Sequence, residues 1–501
     1  MDVILWNTGP RVAPEFNWTG MSRYVGPYKI AHWIRKHNYS CQVIDFISRL
    51  SFEELYNATK KFITKDTKVL GISTTFLCGF SYQWPDGSPK RFPYHVIQVL
   101  TLLRQEHPNI KFVLGGYGSD RVNDFDLFDV SINSYTSSPE DIFLEYLEHY
   151  VKGTPLPLGK IKNSFMGNDK RPRMIYDTAR NKKYDIETDD FKFIKQDVIL
   201  FGETLPLDVS RGCIFNCSFC QYPHLGKKKM DYIRSMTMLE EELLHNYENF
   251  GTTNYIILDD TFNDTEWKLK QFHKITESLP FKITYAAYLR ADLIERFGDT
   301  AHILKETGLW GAFHGLESLH PYASKLMGKS WSGKRAKEFI PKLYHDIWKG
   351  EVPQQLNFIV GLPKETKEDL LSTVEWARQN DLYSVGFSSL AVFDYSKGQT
   401  ATYSIPSEME KNPSKYGIEF DDQGWKNETW TRLEAKSFFK ELMDNVRDIS
   451  GVHVFRLGTL LSLGYSKEYL LKTPMSQLNW SEVIDKSDLN IKQYYKQLME
   501  L

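Results

Sequence analysis

The stretch LPLDVSRGCIFNCSFCQY, residues 205–222, places an apolar run directly before a loop that holds three cysteines. The run LPLDVS (205–210) has the length and composition of a short buried strand. Cys213, Cys217 and Cys220 then fall within eight positions, in a chain of 501 residues that has only five cysteines. So few cysteines, three of them clustered, do not make a disulfide framework, and the pattern favours a metal or catalytic centre.

The strand before the cysteines is the first of a regular series. Helical patterns separate it from five later apolar runs: NYIILD (254–259), KITYAA (282–287), WGAFHG (310–315), QLNFIV (355–360) and SVGFSSL (384–390). Six strand-helix units are too few to close an eight-stranded barrel, so we expect an open, partial (β/α)6 barrel over residues 205–395. The active face of such a barrel lies where its strands end, and the cysteine loop follows the first strand.

A separate alternation of strands and helices occupies residues 1–150. Its five apolar runs are VILWN (3–7), CQVIDF (41–46), VLGIST (69–74), KFVLGG (111–116) and DVSIN (129–133). Apolar strands separated by helices predict a doubly wound, Rossmann-like parallel sheet with a ligand crevice at the carboxyl ends of its strands. The long loop 78–92 follows the third strand and should overhang that crevice.

The remaining segments have weaker patterns. Residues 151–204 are rich in Pro, Gly and charge, which indicates a linker that packs on the barrel. Residues 396–501 combine aromatic loops with helical patterns, so we expect a mainly helical region that covers the barrel. The predicted fold class is therefore α/β, with a doubly wound parallel sheet, a partial barrel and a helical C-terminal region.

The charge balance gives no sign of a nucleic-acid or membrane partner. The chain has 62 basic and 64 acidic side chains and a formal net charge of −2, so no overall field attracts a polyanion. The opening residues, MDVILWNTGP, lack the features of a signal peptide, and no apolar run reaches the roughly 18 residues of a bilayer span. We expect a cytoplasmic protein that acts on a small molecule.

Two kinds of centre suit three thiolates in the spacing C-x3-C-x2-C. A structural zinc ion needs four enclosing ligands, and His224 is a candidate for the fourth. An iron-sulfur cluster with three cysteine ligands leaves one iron open to a substrate or cofactor. The spacing alone does not separate these two readings, but a zinc knuckle needs neither a strand before the loop nor a barrel after it.

In this context the loop resembles the signature of the radical S-adenosylmethionine (radical SAM) superfamily. That signature places C-x3-C-x2-C after the first barrel strand, with an aromatic residue, here Phe219, before the last cysteine. The resemblance implies that Cys213, Cys217 and Cys220 hold three irons of a [4Fe–4S] cluster and that SAM binds the fourth. One electron would then cleave SAM to a 5′-deoxyadenosyl radical, and a donor of the flavodoxin or ferredoxin type is implied as a partner.

The resemblance also suggests cofactor contacts at the second and third strand ends. Asp259 or Asp260 would lie near the SAM amino group, with a pair of helix-capping residues as the alternative. Arg290 would contact the SAM carboxylate, and its alternative is an ordinary ion pair with Asp292.

Two later segments match family positions in the same order. Glu317, in GLES (315–318), corresponds to a family glutamate near the cofactor. Gly361, in FIVGLPKET (358–366), corresponds to the segment whose backbone passes the adenine. A glycine there permits close approach of another group to the backbone.

The domain that precedes the barrel resembles the cobalamin-binding domain of the cobalamin-dependent radical SAM subfamily. Gly115 and Gly116 correspond to its glycine pair near the nucleotide tail, although such pairs are common after buried strands. The Asp-x-His-x-x-Gly motif that supplies a lower axial ligand is missing, and His32 is expected to lie on a helix face. Cobalamin therefore binds without a protein imidazole, or the fold serves as a scaffold only.

Three functions follow from these observations. The first is a cobalamin-dependent radical SAM transferase, such as a methyltransferase that acts on a small molecule. The second is a corrinoid-free radical SAM enzyme for hydrogen abstraction or rearrangement. The third is a zinc-stabilised binding module without catalysis.

Overall fold

The computed structural model describes the chain except for residues 10–20, 78–81, 117–125, 134–138, 156–160, 167–171, 178–184, 221–231, 330, 383, 398–405, 447, 450, 452 and 474–476. The described residues form two compact units. The first comprises Met1–Pro206, Glu241–Gly251 and Trp480–Leu501. The second comprises Leu207–Glu240 and Thr252–Asn479.

The strands are numbered along the chain: β1 (Val3–Trp6), β2 (Cys41–Ile44), β3 (Val69–Ser73), β4 (Tyr82–Gln83), β5 (Pro89–Lys90), β6 (Lys111–Gly115), β7 (Val130–Asn133), β8 (Ile161–Met166), β9 (Pro172–Asp177), β10 (Leu205–Leu207), β11 (Asn254–Ile257), β12 (Thr284–Leu289), β13 (Leu309–Glu317), β14 (Gln354–Val360), β15 (Val385–Ser389), β16 (Glu419–Asp421) and β17 (Gly424–Lys426).

The helices are numbered in the same way: α1 (Gly26–Lys36), α2 (Phe52–Phe62), α3 (Tyr94–Glu106), α4 (Pro139–Lys152), α5 (Met236–Phe250), α6 (Glu266–Ser278), α7 (Ala291–Arg296), α8 (Thr300–Glu306), α9 (Pro321–Leu326), α10 (Gly333–Lys342), α11 (Lys367–Gln379), α12 (Glu408–Lys411), α13 (Arg432–Asn445), α14 (Val454–Ser462), α15 (Lys467–Lys472) and α16 (Trp480–Glu500). No helix in the described part of the chain is both long enough and apolar enough to cross a bilayer.

The first sheet has seven strands in the order β2-β1-β3-β6-β7-β9-β8. All neighbouring pairs are parallel except β8 with β9. Every residue of β1 and β2 is buried, which requires cover on both faces of the sheet. The doubly wound parallel sheet predicted for the N-terminal part is confirmed, with one antiparallel strand at its edge.

Two segments that the sequence pattern places elsewhere join the first unit. The expected linker, 151–204, contributes β8 and β9 to the sheet. The final helix, α16, packs its apolar face into the core around α2, through Ile491, Tyr494 and Leu498. The Tyr494 hydroxyl accepts a hydrogen bond from the Asp45 backbone N–H at 2.7 Å.

The second sheet has six strands in the order β10-β11-β12-β13-β14-β15. The pairs from β11 to β15 are parallel, and among the described residues the two end strands do not pair with each other. This confirms the open, six-stranded barrel predicted from the alternating pattern. Consecutive order places all six carboxyl ends, and the loops that follow them, along one rim.

Side chains alternate between the two faces of this sheet. On the outer face His314 is fully buried, and its ring lies 6.3 Å from the ring of Trp348, in the segment after α10. On the inner face Tyr288, Asn357 and Ser388 keep part of their surface exposed. The inner face therefore borders a recess, while the outer face packs under the connecting segments.

Candidate active site at the carboxyl rim of the second sheet

The cysteine loop follows β10, at the carboxyl end of the first strand. Cys213, Cys217 and Cys220 are half-buried thiols that form no disulfide. The loop is tied down through Ser218, whose backbone N–H donates to the Met327 carbonyl at 3.2 Å and whose hydroxyl donates to the Leu326 carbonyl at 2.9 Å. These bonds hold the loop without using sulfur.

The three sulfurs do not all lie within the distance that one zinc ion imposes on its ligands. Zinc-sulfur bonds of about 2.3 Å in a tetrahedron bring the sulfurs to about 3.8 Å of one another. Among the described residues, the one group of three potential ligands whose atoms all lie within 4.8 Å is His32, Asp189 and Asp190. At least one pair of the cysteine sulfurs is therefore more than 4.8 Å apart, a spacing that a larger centre, in which each cysteine holds its own iron, can accommodate. His224, the fourth zinc ligand in the alternative reading, lies outside the described residues.

The His32 group is an ion-pair cluster. Lys29 pairs with Asp189, and Lys36 and His32 both contact Asp190, at 2.8 and 2.9 Å. Because lysines already neutralise both carboxylates, the group has little negative charge left for a cation. His32 lies on helix α1, as expected from the sequence.

Asp259 is committed to a buried network. One carboxylate oxygen accepts the Val209 and Ser210 backbone N–H groups at 3.1 and 2.8 Å. The other accepts the Ser210 hydroxyl at 2.6 Å and the Lys268 ammonium at 3.0 Å. The ammonium also pairs with Asp264 at 2.8 Å. Asp259 thus fixes the start of the cysteine loop, and Asp260, which is half-buried at the same strand end, is the better placed of the two for a ligand.

The alternative role for the Asp259 and Asp260 pair, as helix caps, does not fit the next helix. Thr265 caps α6, because its side chain accepts a hydrogen bond from the Lys268 backbone N–H at 3.2 Å. The aspartates end a strand rather than begin a helix. Sequence reasoning missed Lys268, since a lysine inside a helix usually points to solvent.

Arg290 meets both the partner expected from the sequence and the cysteine loop. Its Nε and Nη2 atoms donate to the Asp292 carboxylate at 3.0 and 2.7 Å. Its Nη1 atom lies 3.8 Å from the Cys217 sulfur, and its guanidinium stacks 4.1 Å from the centre of the Phe215 ring. The guanidinium therefore lies within the cysteine loop and is paired with Asp292.

Glu317 ends β13 with a backbone conformation that is rare outside glycine. Its φ is 66°, and the register between β13 and β14 shifts at this point. The Lys329 ammonium pairs with its carboxylate at 3.0 Å and also donates to the Gly315 carbonyl. A Cβ at Gly315 would lie 2.5 Å from a Glu317 carboxylate oxygen, which would have to move to make room for it. Strained residues of this kind concentrate at functional sites, and Lys329 was not foreseen from the sequence.

Gly361 and Phe219 serve packing in the described structure. Gly361 has a φ of 108°, and a Cβ there would lie 2.7 Å from the indole ring of Trp425. Phe219 packs against the buried core of the second unit. The close approach that Gly361 permits is therefore made by a tryptophan.

Glu365 is a buried acid that sequence reasoning missed. It is 1% exposed, accepts a hydrogen bond from the Ser318 hydroxyl through one oxygen, and has no hydrogen-bond partner for the other. Burial raises the pKa of Glu365 to about 8, so the group is largely neutral at pH 7. Nothing in its local sequence, PKETKED, distinguishes it from a surface glutamate.

In the first unit, Gly115 and Gly116 lie where β6 ends beside β3. A Cβ at Gly115 would meet no atom of the described residues within 4 Å, whereas one at Gly116 would lie 2.5 Å from the Thr75 hydroxyl. The Gly115 carbonyl accepts hydrogen bonds from the Thr74 N–H and hydroxyl, at 2.8 and 2.9 Å. The sheet edge thus has open space beside Gly115, whereas Gly116 adopts a φ of 90° that favours glycine.

The remaining two cysteines differ in what can be described. Cys41, in β2, is 1% exposed, and burial raises the pKa of its thiol to about 12. It behaves as a small core residue. Cys78 and the start of its loop lie outside the described residues.

The arrangement of residues at this rim agrees with a match to a protein family. Residues 207–377 match the family described as the radical SAM superfamily. The matched segment contains the three cysteines and strands β11 to β14. The resemblance inferred from the cysteine loop is confirmed.

More particular likenesses extend this result. The chain is 27% identical over 235 residues to an uncharacterized methyltransferase of Pyrococcus horikoshii, with 45% of this chain and 46% of that protein covered. It is 26% identical over 219 residues to the ribosomal protein uS12 methylthiotransferase RimO of Crocosphaera subtropica, with 40% and 46% covered. The chain thus spans about half the length of the curated relatives it matches.

The whole fold also has a solved counterpart. The radical SAM methyltransferase TsrM of Kitasatospora setae, solved with cobalamin and a [4Fe–4S] cluster bound, superposes with a TM-score of 0.62 at 14% identity. The superposition covers 100% of this chain and 99% of TsrM. Both the N-terminal sheet and the open barrel therefore have the same fold as the corresponding parts of TsrM.

Proposed function

We propose that the protein cleaves SAM reductively at a [4Fe–4S] cluster held by Cys213, Cys217 and Cys220. The observation that carries this proposal is the arrangement of the thiols: half-exposed, at the end of the first barrel strand, and with at least one pair of sulfurs more than 4.8 Å apart. When bound, the cluster supplies the electron that breaks a carbon-sulfur bond of SAM, which gives methionine and a 5′-deoxyadenosyl radical.

The neighbouring strand ends supply charges that suit the two polar groups of SAM. We assign Arg290, already held beside Cys217, to the carboxylate, and the half-buried Asp260 to the ammonium group. Glu317, fixed by Lys329, is the third polar group of the same rim. Opposite charges within a few ångströms give orientation as well as affinity.

Anaerobic reconstitution of the full chain with iron and sulfide tests this proposal. We expect a brown protein with about four irons per chain, which releases 5′-deoxyadenosine when SAM and dithionite are added. Reduced flavodoxin or ferredoxin should replace dithionite, because we propose such a protein as the electron donor. A colourless protein with one tightly bound zinc ion would overturn the assignment.

We further propose that the first unit binds cobalamin and that the reaction is methyl transfer to a small molecule. The open space at Gly115, at the carboxyl edge of a parallel sheet, supports a ligand there. The names of the curated relatives, which act in methyl or methylthio transfer, favour this chemistry over hydrogen abstraction alone. A corrinoid-free radical SAM reaction is the alternative.

Retention of hydroxocobalamin on gel filtration distinguishes the two functions. Gly115→Val adds a side chain where no atom of the described part of the chain lies within 4 Å of the Cβ, so the fold should tolerate it while corrinoid retention falls. Gly298→Val, at an equally open glycine in the second unit, is the matched control and should retain the corrinoid. Release of S-adenosylhomocysteine together with 5′-deoxyadenosine would support methyl transfer. If the wild-type protein retains no corrinoid, the cobalamin proposal fails and the corrinoid-free reaction is the remaining function.

A further inference from the structure

Tyr288 is an exposed residue in a central strand. It lies in β12, between β11 and β13, yet 39% of its surface is exposed. Burial nevertheless raises the pKa of its phenol to about 12, because the surrounding protein disfavours the phenolate. An accessible side chain enclosed by protein lines a recess rather than the outer surface.

Three further rings join Tyr288 to form one aromatic wall. The ring centres of Phe313 and Phe455 lie 4.8 and 4.5 Å from that of Tyr288. His453 lies 5.8 Å from Phe313 and 5.6 Å from Phe455. Burial and the nearby Arg456 lower the pKa of His453 to about 3, so its imidazole is neutral. The four residues Tyr288, Phe313, His453 and Phe455 are called the ring wall below.

The start of α14 closes the recess at the base of the ring wall. The Val454 backbone N–H donates to the Gln355 side-chain oxygen at 3.3 Å. A Cβ at Gly311, on the inner face of β13, would lie 2.9 Å from the Val454 side chain. This contact seats the first turn of α14 against the sheet and fixes Phe455 beside Tyr288.

Neutral hydrogen-bonding groups lie across the inner face from the ring wall. The Asn357 amide donates to the Ser388 hydroxyl at 3.2 Å, and both side chains are accessible. Gly386 is the register neighbour of Asn357, and a Cβ there would lie 3.2 Å from the Asn357 side-chain oxygen. Asn357 is two strands from Tyr288, which corresponds to about 10 Å across a sheet.

The ring wall lies one layer below the residues assigned to SAM. Tyr288 precedes Arg290 by two positions on the same face, which corresponds to about 7 Å along a strand. Phe313 similarly precedes Gly315, over which the Glu317 carboxylate and Lys329 ammonium lie. Reacting atoms must approach to about 3–3.5 Å, so a substrate has to occupy the layer next to the cofactor.

We infer that this recess binds a small molecule with an aromatic or heteroaromatic ring that packs on the ring wall, and with a neutral hydrogen-bonding group that meets Asn357 and Ser388. The inference rests on the proposed function for the position of the cofactor. The chemistry of the recess itself depends only on the residues that line it. Flat rings gain from edge and face contacts with other rings that a saturated ring of equal size does not.

The test compares 3-phenylpropanamide with 3-cyclohexylpropanamide, which share linker and amide and differ in the ring. Binding to the cluster-loaded full chain is measured by ligand-observed NMR titration. We expect the phenyl compound to bind about fivefold more tightly. Tyr288→Leu and Phe455→Leu should each reduce that preference, and Ser388→Ala should weaken both compounds alike. Tyr469→Leu, at a tyrosine of similar exposure on α15, should change neither.

Each outcome has a definite meaning. Equal affinity for the two compounds, a preference that survives Tyr288→Leu, or no binding of either compound overturns the inference. Release of 5′-deoxyadenosine without an aromatic preference would remove the inference and leave the proposed function intact. An aromatic preference without SAM cleavage would support the inference about the recess and contradict the proposed function.

Discussion

The carboxyl edges of the two sheets differ in what they present: charged and sulfur-bearing side chains at one, and open space beside a glycine at the other. At the rim of the second sheet, side chains carry the chemistry: Cys217 beside Arg290, and Glu317 beside Lys329. At the edge of the first sheet, Gly115 leaves open space beside the neutral hydroxyl of Thr74. A site made of side chains can be recognised from residue types, whereas a site made of backbone and space reveals little in the sequence.

The largest effect should come from the sulfur ligands. Cys217→Ala should abolish cluster binding and SAM cleavage, because a three-cysteine centre has no spare ligand. Cys41→Ala is the matched control, since that thiol is buried in the first sheet and should keep its full iron content. Iron analysis and 5′-deoxyadenosine release measure both. Equal iron in the two variants would contradict the assignment of the rim.

The next effect concerns the ion pairs that support the rim. Lys268→Met leaves the fully buried Asp259 and Asp264 carboxylates without their cation. We expect the free energy of unfolding to fall by about 3–5 kcal/mol, measured by urea denaturation. Lys270→Met, two positions away on the same helix and exposed, should change it by less than about 0.5 kcal/mol. Similar values for the two variants would show that the network contributes little.

A smaller, pH-dependent effect is expected at Glu365. Its folded pKa of about 8 exceeds the usual 4.5, so folding favours the protonated form and stability is lost as pH rises from 4.5 through 8. Glu365→Gln keeps an acceptor for Ser318 and removes this loss. The variant should differ from wild type by about 1 kcal/mol at pH 5 and exceed it by about 4 kcal/mol at pH 8.

Urea denaturation at the two pH values measures the Glu365 effect. Glu428→Gln, at an exposed glutamate of the same unit, provides the control and should show no such divergence. A stability difference between Glu365→Gln and wild type that is the same at pH 5 and pH 8 would contradict the raised pKa.

The smallest effect separates the two glycines of the first sheet. Gly116→Ala forces a side chain into a φ of 90° and against Thr75, which should cost about 1–3 kcal/mol. Gly115→Ala enters open space and should leave the free energy of unfolding nearly unchanged. Thermal or urea unfolding of both variants is sufficient. If Gly115→Ala were the more destabilising, the space at this edge would already be filled by protein.

Much of the fold could be predicted because its strands are strongly apolar. Runs such as KFVLGG and QLNFIV allow only buried strands, and the observed β6 and β14 fall within one residue of them. β8 and β9 were not predicted from the sequence because their residues, IKNSFM and PRMIYD, mix charged, polar and proline residues. Edge strands tolerate that composition, so it does not distinguish them from a linker.

The site was predictable where the residue type itself is rare. Three clustered cysteines can be recognised without a structure, but Lys268 and Glu365 resemble ordinary helix and loop residues until their burial is known. The ring wall was not predicted from the sequence for another reason. Tyr288 and Phe313 belong to runs that are apolar on both faces, and such runs do not reveal which face borders a recess.

The anchoring of the cysteine loop through Ser218 has a consequence for the lifetime of the enzyme. Exposed iron-sulfur centres are destroyed by oxidants, but the bonds to Leu326 and Met327 involve oxygen and nitrogen only. For the proposed cluster, loss of the iron should therefore leave these two anchors in place. A chain that has lost its cluster to an oxidant should then regain it from iron and sulfide without being unfolded first.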